Sequence, residues 1–355
     1  MMTPLDITGQ RLCNQQLSAT TFTQPHEVVQ WFGAMQAQDY AVAKWAIAQR
    51  AHGLTDAALD QAFAEGTILR THVLRPTWHF VTPADIRWML QLTAPRVNAL
   101  SAYYYRKSEL DDAVFRKSNT VLAKALRGGK QLTRPELATA LAQAGIATDN
   151  LRVTHLMMRA ELDAVICSGA RHGKQFTYAL LDERAPATKA LPREEALAEL
   201  TRRYLHSRGP ATAADFAWWS GLSLTDARRG FASVQSQFNQ ATMGGQTYWF
   251  PDSTPPVGSP MAHWLPTYDE YLIGYKDRSA AVYPAHAEKI IGGEVFTSTL
   301  LLNGQTAGVW KRTLQKSEVV IEAQLFAPLK KAEQKVATQA AERYGAFLGL
   351  PVMLI

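Results

Sequence analysis

Apolar positions along this chain recur mostly at helical spacing, and one order of elements recurs with them. Thr133-Arg134-Pro135-Glu136 reads as a capping box, with Thr at the N-cap, Pro in the first turn and Glu at N3 reaching back to free backbone N–H groups. The helix it opens has Leu137, Leu141 and Ala144 apolar at helical spacing and stops at Gly145. Residues 150–164 are predicted as a second helix, with Leu151, His155, Met158 and Leu162 on its inner face. Val165-Ile166-Cys167 and Phe176-Thr177-Tyr178 flank a Gly-rich basic turn and read as a hairpin. With a helix at 115–126 ahead of it, this is the order of a winged helix-turn-helix. The second helix of such a turn usually enters the major groove, and the hairpin flanks the backbone.

The same order is predicted twice more. Thr212-Ala213-Ala214-Asp215 caps a helix ending at Ser220-Gly221, and Ser223-Leu224-Thr225-Asp226 caps another that carries Arg228 and Arg229. Near the start, Thr23-Gln24-Pro25 opens a helix over 28–34, followed by helices at 40–49 and 55–64. Strands at 68–74 and 77–81 would form the first wing. Residues 251–260, rich in Pro, Ser and Gly, read as a linker. Strands at 295–302, 306–313 and 318–325 follow, the first two joined by an Asn303-Gly304 hairpin turn, and a helix at 328–348 closes the chain. The expected fold is therefore α+β. Three tandem winged helix-turn-helix units at 1–108, 109–190 and 191–255 precede a β-rich C-terminal domain at 256–355.

Composition narrows the function without naming it. The 355 residues carry 37 Lys and Arg against 31 Asp and Glu, a balance of +6 that permits a nucleic-acid partner without requiring one. An apolar fraction of 47% excludes disorder as the main state. No run approaches the ~18 apolar residues of a membrane span. The first residues lack the pattern of a signal peptide, and Cys13 and Cys167 cannot form a disulfide framework, so a reducing cytoplasm is the expected location. No G-x-G-x-x-G or G-x-S-x-G is present, and Gly128-Gly129-Lys130 lacks the upstream glycine of a phosphate loop. His26-Glu27 is followed by Gln30 where a zinc protease needs its second histidine. The nine histidines are scattered, so neither metal nor cofactor is expected.

Candidate chemistry sits at Gln36-Ala37-Gln38-Asp39, in the turn before the 40–49 helix. Two carboxamides at i and i+2 of an extended backbone point the same way, and each can orient water. Asp39 is a rival general base, or simply the N-cap of that helix. Arg70, Arg75, Arg171, His172, Lys174, Arg228 and Arg229 fall on predicted wings or recognition helices and are candidates for phosphate contact. His79 could meet a phosphate or the base, or lie in the core. Tyr103-Tyr104-Tyr105 beside Arg106-Lys107 is expected to pack in a core. Asp269, Glu270 and Asp277-Arg278 read as a structural ion-pair turn.

Three segments carry a family resemblance: Gln36-Ala37-Gln38, the stretch 74–81 (Leu-Arg-Pro-Thr-Trp-His-Phe-Val), and 265–278 (Leu-Pro-Thr-Tyr-Asp-Glu-Tyr-Leu-Ile-Gly-Tyr-Lys-Asp-Arg). In the same order and over nearly the whole chain, the sequence resembles the AlkZ/YcaQ-type winged-helix DNA glycosylases. The resemblance implies three winged helices, a β-rich C-terminal domain and excision of N7-alkylated guanine from double-stranded DNA, including unhooking of interstrand crosslinks. It also implies that Gln36 and Gln38 are catalytic, the AlkZ type having glutamine where the YcaQ type has aspartate. On that reading Gln38 orients the water and its carbonyl oxygen faces the cationic sugar, while Gln36 holds the water or the nucleotide. The wing departs from the usual Arg-Gly-Thr-x-His, with Pro76 in place of the glycine. The competing expectation is a non-catalytic winged-helix transcription regulator. Such regulators usually dimerise on half-sites, whereas three unlike units in one chain favour a monomer that wraps DNA.

Overall fold

The computed structural model describes residues 3–185, 187–188, 190–252, 260–292 and 295–355. Helix α1 (Pro4–Asn14) starts at a capping box between Thr3 and Asp6. Then come α2 (Pro25–Phe32), β1 (Met35–Gln36), α3 (Tyr40–Ala48), α4 (Asp56–Glu65), β2 (Leu69–His72) and β3 (Trp78–Val81). The three strands form an antiparallel sheet in the order β1-β3-β2. After the long α5 (Ile86–Lys107) the pattern repeats as α6 (Asp112–Leu126), β4 (Leu132–Thr133), α7 (Arg134–Gln143), α8 (Asn150–Leu162), β5 (Ile166–Ser168) and β6 (Thr177–Leu180). Its sheet order is β4-β6-β5, so the short strand again pairs with the last strand of the hairpin. A one-turn helix, α9 (Leu181–Arg184), leads on to α10 (Arg193–Arg208), α11 (Ala213–Ser220), α12 (Leu224–Val234) and the hairpin β7 (Asn239–Met243) and β8 (Gln246–Phe250). Here a single bridge, Ala211 to Trp249, occupies the place of the short strand.

The predicted caps form as local chemistry requires. Thr133 and Glu136, and Thr212 and Asp215, make reciprocal capping boxes, and Ser223 accepts from the Asp226 N–H. Each satisfies backbone donors that the first helical turn cannot.

The remaining elements are β9 (Ala262–Leu265), α13 (Glu270–Ile273), α14 (Ala287–Ile290), the pair β10 (Ile291–Gly292) and β11 (Val295–Phe296), then β12 (Thr299–Leu302), β13 (Gln305–Leu314), β14 (Val319–Leu325), α15 (Lys331–Leu348) and β15 (Val352–Leu354). They build a sheet in the order β15-β14-β13-β12-β9, antiparallel except where β15 joins β14. The expected linker at 251–260 lies largely outside the described residues.

Packing joins segments far apart in sequence. One core runs from α5 through the second and third repeats. A second core places α2, α3 and α4 against the C-terminal sheet and α15. Trp45 is central to it: its ring lies 4.9 Å from Tyr344 and 5.3 Å from Phe347, and its indole N–H donates to Trp264 O at 2.7 Å. Burying a side chain of this kind contributes ~2–3 kcal/mol.

Two expectations are corrected. Leu151 is 63% exposed, and α8 turns Leu156, Met157 and Ala160 into the core, together with Met158 and Leu162. The docking of α8 on α5 and α6, rather than apolar spacing alone, sets which face is buried. Only Tyr105 of the three tyrosines packs inside; Tyr103 and Tyr104 are 61% and 56% exposed. Three consecutive residues at about 100° each cannot share one helix face. Among the described residues no helix is long and apolar enough to cross a membrane.

Candidate active site and nucleic-acid interface

Strand β1 is brief because the chain must turn into α3, whose N-cap is Asp39. The Asp39 Oδ1 accepts from the Ala41 and Val42 N–H groups at 3.1 and 3.4 Å. Pairing with β3 fixes the preceding turn, with Gln36 opposite His79 and the Ala37 N–H donating to Trp78 O at 2.7 Å. Alternation then buries Ala37 completely. Gln36 is 9% exposed, and Gln38, in the bend after the strand, is open to solvent. Arg70 braces this turn from below, donating through Nε to Ala37 O at 2.9 Å and through Nη2 to Gln38 O at 3.3 Å. Its guanidinium lies between the rings of Trp78 and Phe176, at 4.4 and 4.6 Å.

Both carboxamides are oriented by identifiable donors. Arg75 Nη2 donates to Gln36 Oε1 at 2.8 Å, so the Gln36 NH₂ group points the other way. The Trp78 N–H donates to Gln38 Oε1 at 3.3 Å. One lone pair of the oxygen expected to face the sugar is thus engaged, and the second remains available. Pro76 is accommodated without difficulty. The tip bonds are Arg75 N–H to Val73 O and Thr77 N–H to Arg75 O, both 2.7 Å, so no N–H is demanded of residue 76.

Behind Gln36 lies a buried ion-pair clamp from the C-terminal segment. Glu270 Oε1 accepts the Gln36 backbone N–H at 2.8 Å. Its Oε2 accepts from Arg208 Nε and Nη2 at 3.0 and 2.6 Å and from the Trp219 indole at 3.1 Å. Arg208 also donates to Phe32 O and Ala34 O, each at 2.9 Å, so one charge pair holds three backbone groups in and just before the Gln36 turn. Asp269 forms a second such pair with Arg50, at 2.6 and 2.9 Å, with Gln49 adding a bond at 3.1 Å. Reading the sequence alone leaves Glu270 as a structural acid and misses its bond to Gln36. The available signal was that Asp269-Glu270 opens an apolar run containing no cation, so its partners had to come from elsewhere in the fold.

With this geometry in view, the comparison with known proteins is decisive. The model of the family described as DNA glycosylase AlkZ-like matches residues 29–347. The chain belongs to the AlkZ-like DNA glycosylase family. It is thereby an N-glycosidic bond hydrolase, and the transcription-regulator expectation gives way. The interstrand DNA cross-link repair glycosylase of Streptomyces sahachiroi is similar at 24% identity over 365 residues, covering 97% of each chain. The solved structure of S. sahachiroi DNA glycosylase AlkZ superposes with a TM-score of 0.83 over all of both chains, at 20% identity.

Within this AlkZ-like chain the candidate DNA contacts divide sharply. Arg70 and Arg75 face inward onto the Gln36–Gln38 turn, and desolvation lowers the pKa of both, that of Arg70 to about 10. His79 is wholly buried. These three cannot serve as surface phosphate contacts in this conformation, because their donors already face protein. The tip of the first hairpin is docked as well: a Cβ on Gly221 would fall 2.3 Å from Leu74 O. By contrast, His172 and Lys174 are exposed at the second hairpin tip. Arg171 beside them lies over the Tyr40 ring at 5.1 Å and 3.8 Å from Asp60. Arg228 and Arg229 are exposed on α12, with Arg229 2.7 Å from Glu194. The other second helices offer little to DNA. Helix α4 carries Asp56, Asp60 and Glu65 and no base, and α8 leans on α5.

Proposed function

We propose that this chain is a monomeric DNA glycosylase that excises N7-alkylated guanine from duplex DNA in the cytoplasm, at the nucleoid, and unhooks interstrand crosslinks, its S. sahachiroi relative being named an interstrand DNA cross-link repair glycosylase. We read the three repeats as tandem winged helices at 1–108, 109–190 and 191–255, with the β-rich domain at 256–355 closing the molecule. The observation that carries the catalytic reading is that the Gln36 and Gln38 carboxamides, on a clamped turn, are each oriented by a separate donor.

Alkylation at N7 makes the guanine cationic, so no strong acid is needed. The glycosidic bond breaks with its electron pair leaving on the base, which becomes neutral. A water oxygen bonds to C1′ and releases a proton to solvent. The demand left to the protein is a positioned water and dipoles toward an oxocarbenium-like sugar. The free lone pair of Gln38 Oε1 meets the second demand and the Gln36 NH₂ the first, with Asp39 close by as the rival base. Lys174, His172, Arg171, Arg228 and Arg229 are assigned to the phosphates.

The test is release of 7-methylguanine from a duplex under single-turnover conditions. Gln38→Ala is expected to slow release by roughly 10²–10³-fold with DNA affinity retained. A wild-type rate in Gln38→Ala would remove the assignment, and a dead Asp39→Asn beside an active Gln38→Ala would move the role to Asp39.

A further inference from the structure

Gln36, His79 and Thr71 form one row across the first sheet: Gln36 pairs with His79, and His79 pairs with Thr71. Directly paired residues of an antiparallel sheet project to the same face, and Thr77 lies beside the row, its carbonyl oxygen 2.9 Å from His79 Nδ1. The row is interior, His79 and Thr71 being fully buried. Its polar atoms are nonetheless unpartnered. His79 Nε2, Thr71 Oγ1, Thr77 Oγ1 and the neighbouring Arg75 Nε bond to no other group among the described residues. Native proteins leave only a few such atoms per ~100 residues, because a dry, unpartnered polar atom has lost its hydration and gained nothing. Four around one short hairpin, directly behind a candidate catalytic glutamine, is a local concentration that packing does not explain.

The protonation of His79 follows from its one bond. Nδ1 lies 2.9 Å from Thr77 O, and a carbonyl oxygen only accepts, so Nδ1 carries the hydrogen and Nε2 presents a lone pair. Burial, reinforced by the nearby Arg75 charge, pushes the imidazole well below its ordinary range and keeps it neutral. The groups facing the row are thus one acceptor, two hydroxyls that either donate or accept, a guanidinium N–H, and the Gln36 NH₂ left free by Arg75. Charges close to the ring are those of Arg75, Arg208 and His72, with Glu270 beside Arg75. A buried water makes about three hydrogen bonds to groups of this kind.

We propose that this row is a built water site of the glycosylase, in which His79 Nε2 and the Thr71 and Thr77 hydroxyls hold a water against the Gln36 carboxamide. His79 is then a positioning residue, acting through that water on Gln36 and never touching DNA. The proposal rests on the reading of Gln36 as catalytic.

The experiment compares Thr71→Val, His79→Phe and His79→Gln with wild type in single-turnover release of 7-methylguanine, alongside affinity for undamaged duplex and melting temperature. Thr71→Val and His79→Phe are expected to lose about tenfold in rate, one hydrogen bond's worth, with affinity unchanged. His79→Gln, whose carbonyl oxygen can replace Nε2 as acceptor, should recover most of the rate. A folded Thr71→Val with wild-type rate and a raised melting temperature would mean a dry site and overturn the proposal. Should His79→Phe fail to fold, the isosteric Thr71→Val still decides. Long-range ¹H–¹⁵N spectra of wild-type His79 give an independent reading. The Nδ1–H tautomer with a hydrogen-bonded Nε2 supports the site, and the other tautomer or an unbonded Nε2 overturns it. Absence of 7-methylguanine release by wild type would sink the functional reading above and leave that spectral test standing.

Discussion

The first and second hairpins share a topology and use it in opposite ways. In both, a short strand pairs with the last strand of the hairpin, and both carry basic residues. In the first, Arg70 and Arg75 turn onto carbonyl and amide oxygens of the Gln36–Gln38 turn, and the tip rests against the turn at Gly221. In the second, His172 and Lys174 stand in solvent, on a turn that Gly173 tightens with φ at +60°. A base on a wing is therefore not by itself a DNA contact. What decides is whether unsatisfied backbone acceptors lie within its reach, and the turn into α3 supplies them only to the first hairpin. The first hairpin backs the Gln36–Gln38 turn, and the second is left as a surface.

The sharpest way to break the comparison is to remove what holds the first hairpin's partner in place. Glu270→Ala strips the carboxylate from Arg208, from the Trp219 indole and from the Gln36 N–H at once. Deleting one partner of a buried ion pair typically costs ~3–5 kcal/mol, and urea unfolding should show a loss of that size together with loss of excision. Glu270→Gln retains the shape and one acceptor and is expected to fall between. Wild-type stability in Glu270→Ala would mean that the clamp is idle.

What was legible in the sequence follows the same division between local and distant causes. Thr133 with Glu136 and Thr212 with Asp215 interact within four residues, so the boundaries of α7 and α11 could be read directly. The Gln-x-Gln motif was visible in the sequence, but that its two carboxamides would be held by Arg75 and by the Trp78 N–H was not. The clamp was not legible, because Glu270 and Gln36 are 234 positions apart and only the fold brings them together. Arg70 misled for a related reason. Its composition and place fit a wing base, and nothing nearby in sequence reveals that Ala37 O and Gln38 O await it. The inner face of α8 was misread because apolar spacing leaves a rotation of one residue undetermined until a neighbouring helix docks.

Burial has a further consequence for two histidines, one of them in the first hairpin. His79 is buried and kept neutral, and His263 on β9 is likewise pushed down to about 3, mainly by burial. In the unfolded chain both protonate near their ordinary value, so below about pH 6.5 the unfolded state binds more protons and stability falls with pH. The fall should reach at most ~1.4 kcal/mol per pH unit for each group, and it continues toward pH 3 for His263. His79→Gln should make this acid limb shallower than that of wild type in denaturant titrations between pH 6.5 and 5. An unchanged slope would mean that burial does not keep His79 neutral.

The smallest expected effect is the one that belongs to the second hairpin alone. Lys174 is exposed, and none of the side-chain bonds or ion pairs among the described residues involves it, so its removal should leave the melting temperature unchanged. If it neutralises a phosphate, Lys174→Ala lowers the slope of log affinity against log salt by about 0.9, the counterion released by one contact. Arg70→Ala is the counterpart on the first hairpin. It should leave that slope as in wild type, because the guanidinium faces Ala37 O and Gln38 O, while lowering stability and excision through the turn it braces. A change of slope in Arg70→Ala would show that the first hairpin turns outward on DNA, and the division between the two wings would then hold only for the free enzyme.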